Sequence, residues 1–271
     1  MPHSLIWLAD VLKNAGLKIA QVAGWEERGR GDTSEIFGVI CHYTEGSRNG
    51  NMPSLHTLIN GRAAGPGVSA LQGPLSQLGL GRDGTYYLIA AGRANHAGAG
   101  IWNGLTNGNS NFIGIEAENT GGQNDFPWPQ VQMDAYHRGV AAILKHIGRG
   151  AEFCAGHKEY ALPKGRKSDP DFDMTAFRLS VAAILNGTAP PLILIPGAEP
   201  PQPGGLAGRP TLRRGTHGDL VKQVQTKLRL MTDGIFGAGM EAALRVFQRD
   251  HDMVPDGIIG PKTWKILDTL P

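Results

Sequence analysis

Three side chains that can bind a metal or move a proton lie in one short, turn-rich segment. His157, Lys167 and Asp169 are close together in the chain, and Asp169 directly precedes Pro170. A proline disfavours the helical conformation for the residue before it, so we expect Asp169 in an extended loop that can point its carboxylate at a ligand. Histidine and aspartate both bind zinc, and a zinc hydrolase needs a third protein ligand and an open position for water. The segment therefore predicts part of a metal site.

His42 is the best candidate for the third ligand. Residues 35–43 have an almost unbroken apolar centre, which predicts a central strand buried on both faces. His42 lies where this strand opens into a loop, a place where the strand fixes a side chain and the loop admits a substrate. Strand alternation points Cys41 to the opposite face, so we interpret Cys41 as a core residue rather than a ligand. A structural role remains the competing interpretation of any single histidine.

A second predicted strand, at residues 111–119, supplies a candidate base. Glu116 and Glu118 share one of its faces, opposite the apolar one. Two carboxylates on a strand usually mark a face exposed to solvent. The alternative is that this face lines the metal cleft, where a glutamate can act as a general base.

The proposed constellation is Zn²⁺ held by His42, His157 and Asp169. Bound zinc can lower the pKa of water from about 15.7 toward 7. Glu116 is then the candidate to accept the proton of that water, and Lys167 the candidate to hold the oxyanion. Spacing alone makes this a moderate signal, because scattered ligands have many chance matches.

Alternating strand and helix patterns over residues 1–187 predict an α/β domain with a mixed, mostly buried central sheet flanked by helices. The longest predicted helix covers about residues 128–146. The spacing of its two histidines, His137 and His146, does not match a metal pair at positions i and i+4, so both are predicted at the surface. A shorter helix is predicted from an N-cap at Asp173 to Leu185.

The carboxyl-terminal part has a different composition. Residues 188–208 are rich in proline and glycine and predict a semi-extended linker. Residues 209–271 predict a small all-α module of three helices. Two similar stretches in it, 233–237 and 256–260, each combine a turn, two apolar residues and a glycine that leads into a helix. We expect this module to bind or target rather than react.

Composition excludes several classes of function. The formal net charge of +2 argues against a nucleic-acid partner. No apolar stretch approaches the roughly 20 residues that a membrane span needs. The amino terminus lacks a basic region and a long apolar run, so it is not interpreted as a signal peptide. Two cysteines cannot form a disulfide framework and fit folding in a reducing compartment, although one bridge stays open.

Motifs in the first 187 residues resemble a known family. His42-Tyr-Thr44, Asn95-His-Ala-Gly98, Ile113-Gly-Ile-Glu116, and Gly156-His157 followed by Arg166-Lys-Ser-Asp-Pro170 occur in this order. They resemble the type 2 N-acetylmuramoyl-L-alanine amidases, a zinc family related to peptidoglycan recognition proteins. The resemblance implies that the matching histidines and aspartate bind Zn²⁺ and that Glu116 and Lys167 are catalytic. We also expect His96, Thr44 and Trp102 to contact the substrate, although the loop of Trp102 is equally typical of a plain surface loop.

The carboxyl-terminal module, with Asp233-Gly-Ile-Phe-Gly237 and Asp256-Gly-Ile-Ile-Gly-Pro-Lys-Thr-Trp264, resembles the three-helix peptidoglycan-binding domain. The motifs Gly24-Trp25, Arg28-Gly-Arg-Gly31 and Gly73-Pro74 make the chain similar to endolysins of phages that infect high-GC Gram-positive bacteria. The resemblance implies an enzyme that hydrolyses the amide between N-acetylmuramic acid and L-alanine in bacterial cell-wall peptidoglycan. We expect a monomer with no nucleic-acid partner and no membrane insertion. It would be made in the host cytoplasm and reach the wall by the holin-type release expected of an endolysin.

Three other functions stay open. The fold could serve a non-catalytic peptidoglycan binder, which the complete set of ligands and catalytic residues disfavours. The same zinc chemistry could cut within the stem peptide. A recycling amidase could act on soluble muropeptides, but such a substrate needs no wall-binding module.

Overall fold

The computed structural model of the chain describes residues 1–65, 69–122, 125–190, 211–251, 253 and 255–270. Eight strands are formed within these residues: β1 (Ile19–Gln21), β2 (Gly38–Tyr43), β3 (Gly61–Arg62), β4 (Leu71–Gln72), β5 (Leu78–Leu80), β6 (Tyr86–Leu88), β7 (Phe112–Ala117) and β8 (Cys154–Gly156). Six of them form one sheet in the order β1-β6-β5-β7-β2-β8. The β5–β6 pair is antiparallel and the other neighbours are parallel, which confirms the predicted mixed sheet. Strands β3 and β4 form a separate antiparallel pair.

The chain divides into two units, Met1–Ile193 and Leu194–Pro271. The helices of the first unit are α1 (Leu8–Asn14), α2 (Leu55–Asn60), α3 (Gly108–Asn111), α4 (Gln130–His146), α5 (His157–Tyr160) and α6 (Met174–Leu185). Most of the predicted linker, from residue 191 onward, lies outside the described residues, so the predicted limits of the two domains stay predictions. In the part of the chain that is described, no helix has the length and apolar character needed to cross a membrane.

The two faces of the sheet have different partners. Helices α1, α4 and α6 cover one face, where Cys41 and Ile115 are fully buried among helix residues such as Val140 and Phe177. The opposite face packs Ile40, Phe112 and Ala155 against Ala97 and Tyr160, which lie outside the sheet. Burying a large apolar side chain contributes about 1.5–3 kcal/mol, so both faces stabilise the sheet. Strand β2 is almost entirely apolar because both of its faces are buried.

The two cysteines lie on neighbouring strands and are both fully buried. Cys41 on β2 and Cys154 on β8 have their sulfur atoms 3.5 Å apart and are unpaired. Cys41 points into the helix-covered face, as the alternation predicted. The prediction that it belongs to the core is confirmed.

Helices α4 and α6 begin and end where the sequence predicts. Asp173 caps α6, because its Oδ1 accepts hydrogen bonds from the backbone N–H groups of Thr175 at 2.7 Å and Ala176 at 3.3 Å. Beyond the end of α4, Gly148 adopts a left-handed conformation with φ of 67°, which a glycine reaches without steric cost.

The surface position predicted for two histidines of α4 is correct for only one of them. His146 is exposed, and its ring stacks on Trp7 at 4.2 Å. His137 is half-buried, with its ring 4.5 Å from Phe177 of α6. Burial lowers the pKa of His137 to about 4. The periodicity of α4 did not predict the burial of His137, because α6 covers a wider part of the α4 surface than the apolar stripe of α4.

The second unit contains α7 (Asp219–Lys227), α8 (Ala238–Asp250) and α9 (Pro261–Leu267), with a core of its own. The two similar stretches make the same contacts. Gln225 of α7 donates to Asp233 at 2.6 Å and accepts from the next backbone N–H at 2.8 Å. Gln248 of α8 donates to Asp256 at 2.7 Å and accepts from the following N–H at 2.8 Å. We call each arrangement a glutamine brace, and the pair confirms the internal repeat.

Candidate metal centre and active site

The carboxyl ends of three neighbouring parallel strands bring the predicted site together. His42 lies near the end of β2, and its register partner on β7 is Glu116. His157 directly follows β8, which pairs with β2 on its other side. Register partners on parallel strands project from the same face, so His42 and Glu116 share a side. Ligands of open α/β sheets bind at this edge.

Three ligand atoms converge at one point. The Nδ1 atoms of His42 and His157 are 3.0 Å apart, and each lies 3.1 Å from Oδ2 of Asp169. The three residues are only 1, 3 and 7% exposed, respectively. Among the described residues they form a group whose ligand atoms can hold one metal ion. Tetrahedral zinc with bonds of about 2.0–2.1 Å would separate its ligand atoms by about 3.3 Å, close to the observed spacing.

The donor set fits zinc chemically as well. Burial and the neighbouring His157 lower the pKa of His42 to about 4, so the imidazole is neutral at physiological pH. Neutral imidazole is the form that metals bind. For Asp169, burial alone would raise the carboxyl pKa, but the contacts of His157 and His42 outweigh it and hold the pKa well below its usual range. Two neutral imidazoles and one carboxylate suit Zn²⁺.

A buried tyrosine of α4 fixes the strand ends that carry the site. The hydroxyl oxygen of Tyr136 accepts a hydrogen bond from the His42 backbone N–H at 3.0 Å. It lies 3.0 Å from the carbonyl oxygen of Ile115 and 3.1 Å from that of His42. Tyr136 therefore ties β2 to β7 from the helix side. The sequence showed it only as part of the apolar stripe of α4.

The loop ligands are held by a charged network. The backbone N–H before His157 donates to Glu159 at 2.9 Å, and Glu159 is paired with Arg178 at 2.7 Å. The backbone N–H of Lys158 donates to the carbonyl of Asp169 at 2.6 Å. Since these contacts connect α5, α6 and the Asp169 loop, they fix His157 and Asp169 relative to each other.

Glu116 faces the ligand group. Its Oε1 lies 4.0 Å from Nδ1 of His42, and its buried Oε2 has no hydrogen-bond partner among the described residues. Burial raises the pKa of Glu116 well above its usual range, the charge of Asp169 adds to this, and that of Lys167 opposes it. This oxygen lies beside the three metal ligands and, among the described residues, has no partner. It is therefore suited to accept a proton from water or substrate.

Glu118, the other glutamate of the same face, is hydrogen-bonded to side chains and backbone of the protein. It is fully buried, and its carboxylate accepts hydrogen bonds from the Thr44 hydroxyl at 2.7 Å and from both the backbone N–H and hydroxyl of Ser54 at 3.0 Å. Glu118 therefore anchors the loop after β2. The Thr44 hydroxyl donates to Glu118, and its predicted contact with substrate stays a prediction.

Lys167 lies in the exposed loop before Asp169. Its positive charge contributes to lowering the pKa of His42 and opposes the rise in the pKa of Glu116. Its catalytic role stays a prediction.

The structure places His96 behind the ligand group. His96 is 7% exposed, and its Nδ1 lies 3.1 Å from Nε2 of His42. Its Nε2 lies 3.1 Å from the carbonyl oxygen of Phe112. Both ring nitrogens thus have protein partners, and the predicted substrate contact stays a prediction.

Trp102 is fixed at the other end of β8. Its indole N–H donates to the Glu152 carbonyl at 2.9 Å, and the Arg178 guanidinium lies 5.4 Å from the centre of its ring system. Glu152 precedes the amino end of β8, whereas the ligand His157 follows the carboxyl end. These two contacts of Trp102 do not involve the metal-ligand group. Its predicted role in substrate binding stays a prediction.

Two amide side chains beside the site, the partly buried Asn109 and the buried Gln77, were not predicted. Asn109 accepts with one oxygen from the backbone N–H groups of His96 at 2.9 Å and Ala97 at 2.8 Å. Gln77 accepts from the Gly114 backbone N–H at 2.8 Å. Asn109 lies in an Asn/Gly-rich stretch and Gln77 beside turn residues, so composition gave no sign that either amide supports the site.

A buried His-His-Asp group at the carboxyl edge of a mixed α/β sheet, with a glutamate beside it, defines a zinc hydrolase. Residues 32–172, more than half of the chain, match the N-acetylmuramoyl-L-alanine amidase family, and residues 217–267 match a putative peptidoglycan binding domain. The chain belongs to the N-acetylmuramoyl-L-alanine amidase family. Its His42, His157 and Asp169 form the zinc site typical of that family.

Individual relatives match parts of the chain. The "uncharacterized protein in bpoA1 3′ region" of Kitasatospora aureofaciens is 38% identical over 72 residues, which are 24% of this chain and 61% of that protein. A fused Zn-dependent amidase/peptidase/peptidoglycan-binding protein from Clostridium acetobutylicum is 32% identical over 22% of this chain and 30% of its own, with a TM-score of 0.22.

Two further solved structures are similar. The endolysin of the Burkholderia AP3 phage is 42% identical over 22% of this chain and 25% of its own, with a TM-score of 0.21. The N-acetylmuramyl-L-alanine amidase AmiD from E. coli is 20% identical over 90% of this chain and 91% of its own, with a TM-score of 0.42.

Proposed function

We propose that the protein hydrolyses the amide between the lactyl group of N-acetylmuramic acid and the L-alanine of the stem peptide in peptidoglycan. The observation that carries the proposal is the convergence of His42, His157 and Asp169 beside Glu116, in a chain of the amidase family. The peptidoglycan-binding match at residues 217–267 supports the same polymer as substrate.

The residues have separate tasks in this reaction. Zinc held by His42, His157 and Asp169 would polarise a carbonyl and lower the pKa of water. Glu116, whose Oε2 lacks a partner among the described residues, accepts the proton of the attacking water and returns it to the leaving amine. Lys167 brings a positive charge to the oxyanion of the tetrahedral intermediate. The carboxylate of Glu118 holds Thr44 at the edge of the cleft and takes no proton from the reaction.

Analysis of a wall digest tests the bond that is cut. Purified peptidoglycan is incubated with the full chain, with and without a zinc chelator, and the products are examined by mass spectrometry. We expect new L-alanine amino termini that disappear with the chelator and return with added Zn²⁺. Products that keep the lactyl–alanine bond but are cut within the stem peptide would make the protein a peptidase. No products at all would leave a peptidoglycan binder.

Two substitutions separate zinc binding from catalysis. Asp169→Ala should abolish both zinc binding and turnover, because two imidazoles alone remain. Glu116→Gln should keep zinc and lose turnover by a factor of about 10²–10⁴, the usual contribution of a positioned general base. Zinc content is measured by atomic spectroscopy. A fully active Asp169→Ala protein would refute the ligand set.

We propose that the second unit holds the enzyme on the wall and raises the local concentration of substrate. Deleting residues 209–271 should weaken binding to sedimented wall material more than it slows cleavage of a small soluble muropeptide. An equal loss on both substrates would contradict a targeting role.

We further propose that the protein is a monomeric phage endolysin that reaches the wall through a holin-type release from the host cytoplasm. The combination of amidase and wall-binding parts suits a lytic enzyme. Expressed in a sensitive bacterium, the protein should lyse the cells only when a holin is co-expressed, and it should elute as a monomer in size-exclusion chromatography. Lysis without a holin would argue for another route.

A further inference from the structure

We infer that the segment His96–Ala97 is the shared support of both zinc histidines, holding each ring so that its Nδ1 is free for the metal. The inference rests on the zinc site and not on the identity of the substrate. Neither residue contributes a metal ligand. His96 acts through its ring on one ligand, and Ala97 acts through its backbone on the other.

The first contact runs through the His96 ring. A carbonyl oxygen can only accept a hydrogen bond, so the His96 nitrogen that faces the Phe112 carbonyl, Nε2, must carry the proton. In a neutral imidazole the other nitrogen, Nδ1, is then an acceptor. It lies 3.1 Å from Nε2 of His42, which must therefore be the donor. His42 is left with a free lone pair on Nδ1, the atom that points at the other ligands.

The second contact uses the next residue of the chain. Nε2 of His157 lies 2.9 Å from the carbonyl oxygen of Ala97. The same reasoning puts a proton on that nitrogen and leaves Nδ1 of His157 free. Both ligand histidines thus take the same tautomer, and two consecutive residues set it.

The segment is itself held rigidly. Asn109 accepts from the backbone N–H groups of both His96 and Ala97, which holds the backbone of the segment in place up to Ala97. Arg166 donates to the same Ala97 carbonyl at 3.3 Å. Gly114 leaves room for the His96 ring, because a Cβ atom at this position would lie 2.5 Å from Cγ of His96. The lack of space beside the His96 ring therefore explains why the Ile113-Gly-Ile-Glu116 motif has a glycine at position 114.

Supports of this type matter because the hydrogen bond on the distal nitrogen fixes both the tautomer and the ring orientation of a metal-bound histidine. Removing such a partner typically costs about 10–100-fold in metal affinity. A buried histidine that only filled space would have no effect of this kind on zinc.

A matched pair of substitutions tests the ring contact. His96→Phe keeps a flat ring but has no nitrogen. His96→Asn places an amide oxygen near the former position of Nδ1, where the oxygen can accept the hydrogen bond from His42. Zinc affinity of the purified full chain is measured by competition with a chromogenic chelator. We expect the dissociation constant to rise by about 10–100-fold in His96→Phe and to stay much closer to wild type in His96→Asn. Equal zinc affinity of wild type and His96→Phe, or equal losses in the two variants, would overturn the inference.

Nuclear magnetic resonance distinguishes positioning from a general loss of structure. In the zinc-loaded protein with ¹⁵N-labelled histidine, the Nε2–H protons of His42 and His157 should both exchange slowly with water. In His96→Phe the His42 proton should exchange faster while the His157 proton is unchanged. An unchanged His42 proton would refute the contact.

Substitutions at two further positions, Gly114 and Asn109, test the inference if His96→Phe does not fold. Gly114→Ala removes no polar group but pushes on the His96 ring, so zinc affinity should fall. Asn109→Leu removes the acceptor that holds both residues of the segment, and Asn109→Asp keeps one, so the first should bind zinc more weakly than the second. His137→Asn, away from the site, is the control and should bind zinc as wild type does. Wild-type zinc affinity in both Gly114→Ala and Asn109→Leu would overturn the inference.

Discussion

Glu116 and Glu118 differ by two positions on one strand, and their substitution should have opposite effects. In Glu118→Ala the partly buried Ser54 N–H loses its acceptor, which costs about 1–3 kcal/mol. Loss of the buried side-chain atoms adds about 2 kcal/mol. The two hydroxyl groups can turn to other partners, so we add nothing for them. The expected loss is on the order of 3–5 kcal/mol, a large part of the roughly 5–15 kcal/mol that stabilises a domain.

The amide variant should be much milder. In Glu118→Gln the amide oxygen can still accept from the Ser54 N–H, and the amide N–H₂ can donate to the hydroxyl oxygens of Thr44 and Ser54. What is lost is the charge assistance, about 1 kcal/mol. Turnover on a soluble muropeptide should stay close to wild type, because the proposed reaction gives the Glu118 carboxylate no part.

Thermal unfolding of the zinc-loaded protein, followed by tryptophan fluorescence, measures the stability. Glu118→Ala should unfold on the order of 10 °C lower, since about 1 kcal/mol corresponds to roughly 2–4 °C for a domain of this size. Glu116→Gln is the matched control and should unfold near the wild-type temperature while losing turnover. A Glu118→Gln protein that keeps its fold and zinc but loses turnover would refute the reasoning and make Glu118 the base.

Three further results are expected. Gly139→Ala should destabilise by about 1–2 kcal/mol in urea unfolding, because a Cβ would lie 2.1 Å from the Tyr86 hydroxyl and overpacking at about 1–3 kcal/mol outweighs a helix-propensity gain of at most 1; a stabilised protein would show that Tyr86 moves aside. The pKa of His137 is about 4 when folded, below its unfolded value near 6.5, so its contribution is present above pH 6.5 and is lost as pH falls toward 4. His137→Phe should therefore lose about 2 kcal/mol less than wild type between pH 7.5 and 4.5 in urea unfolding, and equal losses would contradict the burial of His137. Gln248→Ala should lower the unfolding temperature of the second unit and leave that of the first unchanged by calorimetry, since it leaves a buried backbone N–H without its acceptor; an unchanged second transition would show that the brace contributes nothing.

The long elements of the fold could be predicted because each carries its own periodic signal. The apolar run of β2, the alternation of β7 and the stripe of α4 are all confirmed within a few residues. The short strands β5 and β8 are three residues each, too short for any period. They are strands because neighbouring strands pair with them, and that information lies elsewhere in the chain.

The site was predicted in outline for a similar reason. Buried strands ending in His42 and Glu116 suggested two of its members, and the turn-rich segment before Pro170 suggested His157, Lys167 and Asp169. The family motifs then supported all five. Strand alternation puts Glu116 and Glu118 on the same face and cannot distinguish them. Their surroundings differ because Thr44 and Ser54, distant in the chain, donate hydrogen bonds to Glu118. The position of His96 behind His42 depends on a long-range ring contact and on the space above Gly114, neither of which has a local signature.

The glutamine brace has a consequence beyond this protein. Its two copies use one spacing, a glutamine on a helix followed eight positions later by aspartate, glycine and isoleucine. Each glutamine brace is formed by contacts within about a dozen residues. It can therefore be repeated along a chain without changes in the residues around it. A search for that spacing in unrelated small helical proteins would show whether evolution has used it as a portable building block, and grafting it between two designed helices would show whether it orders their connection by itself.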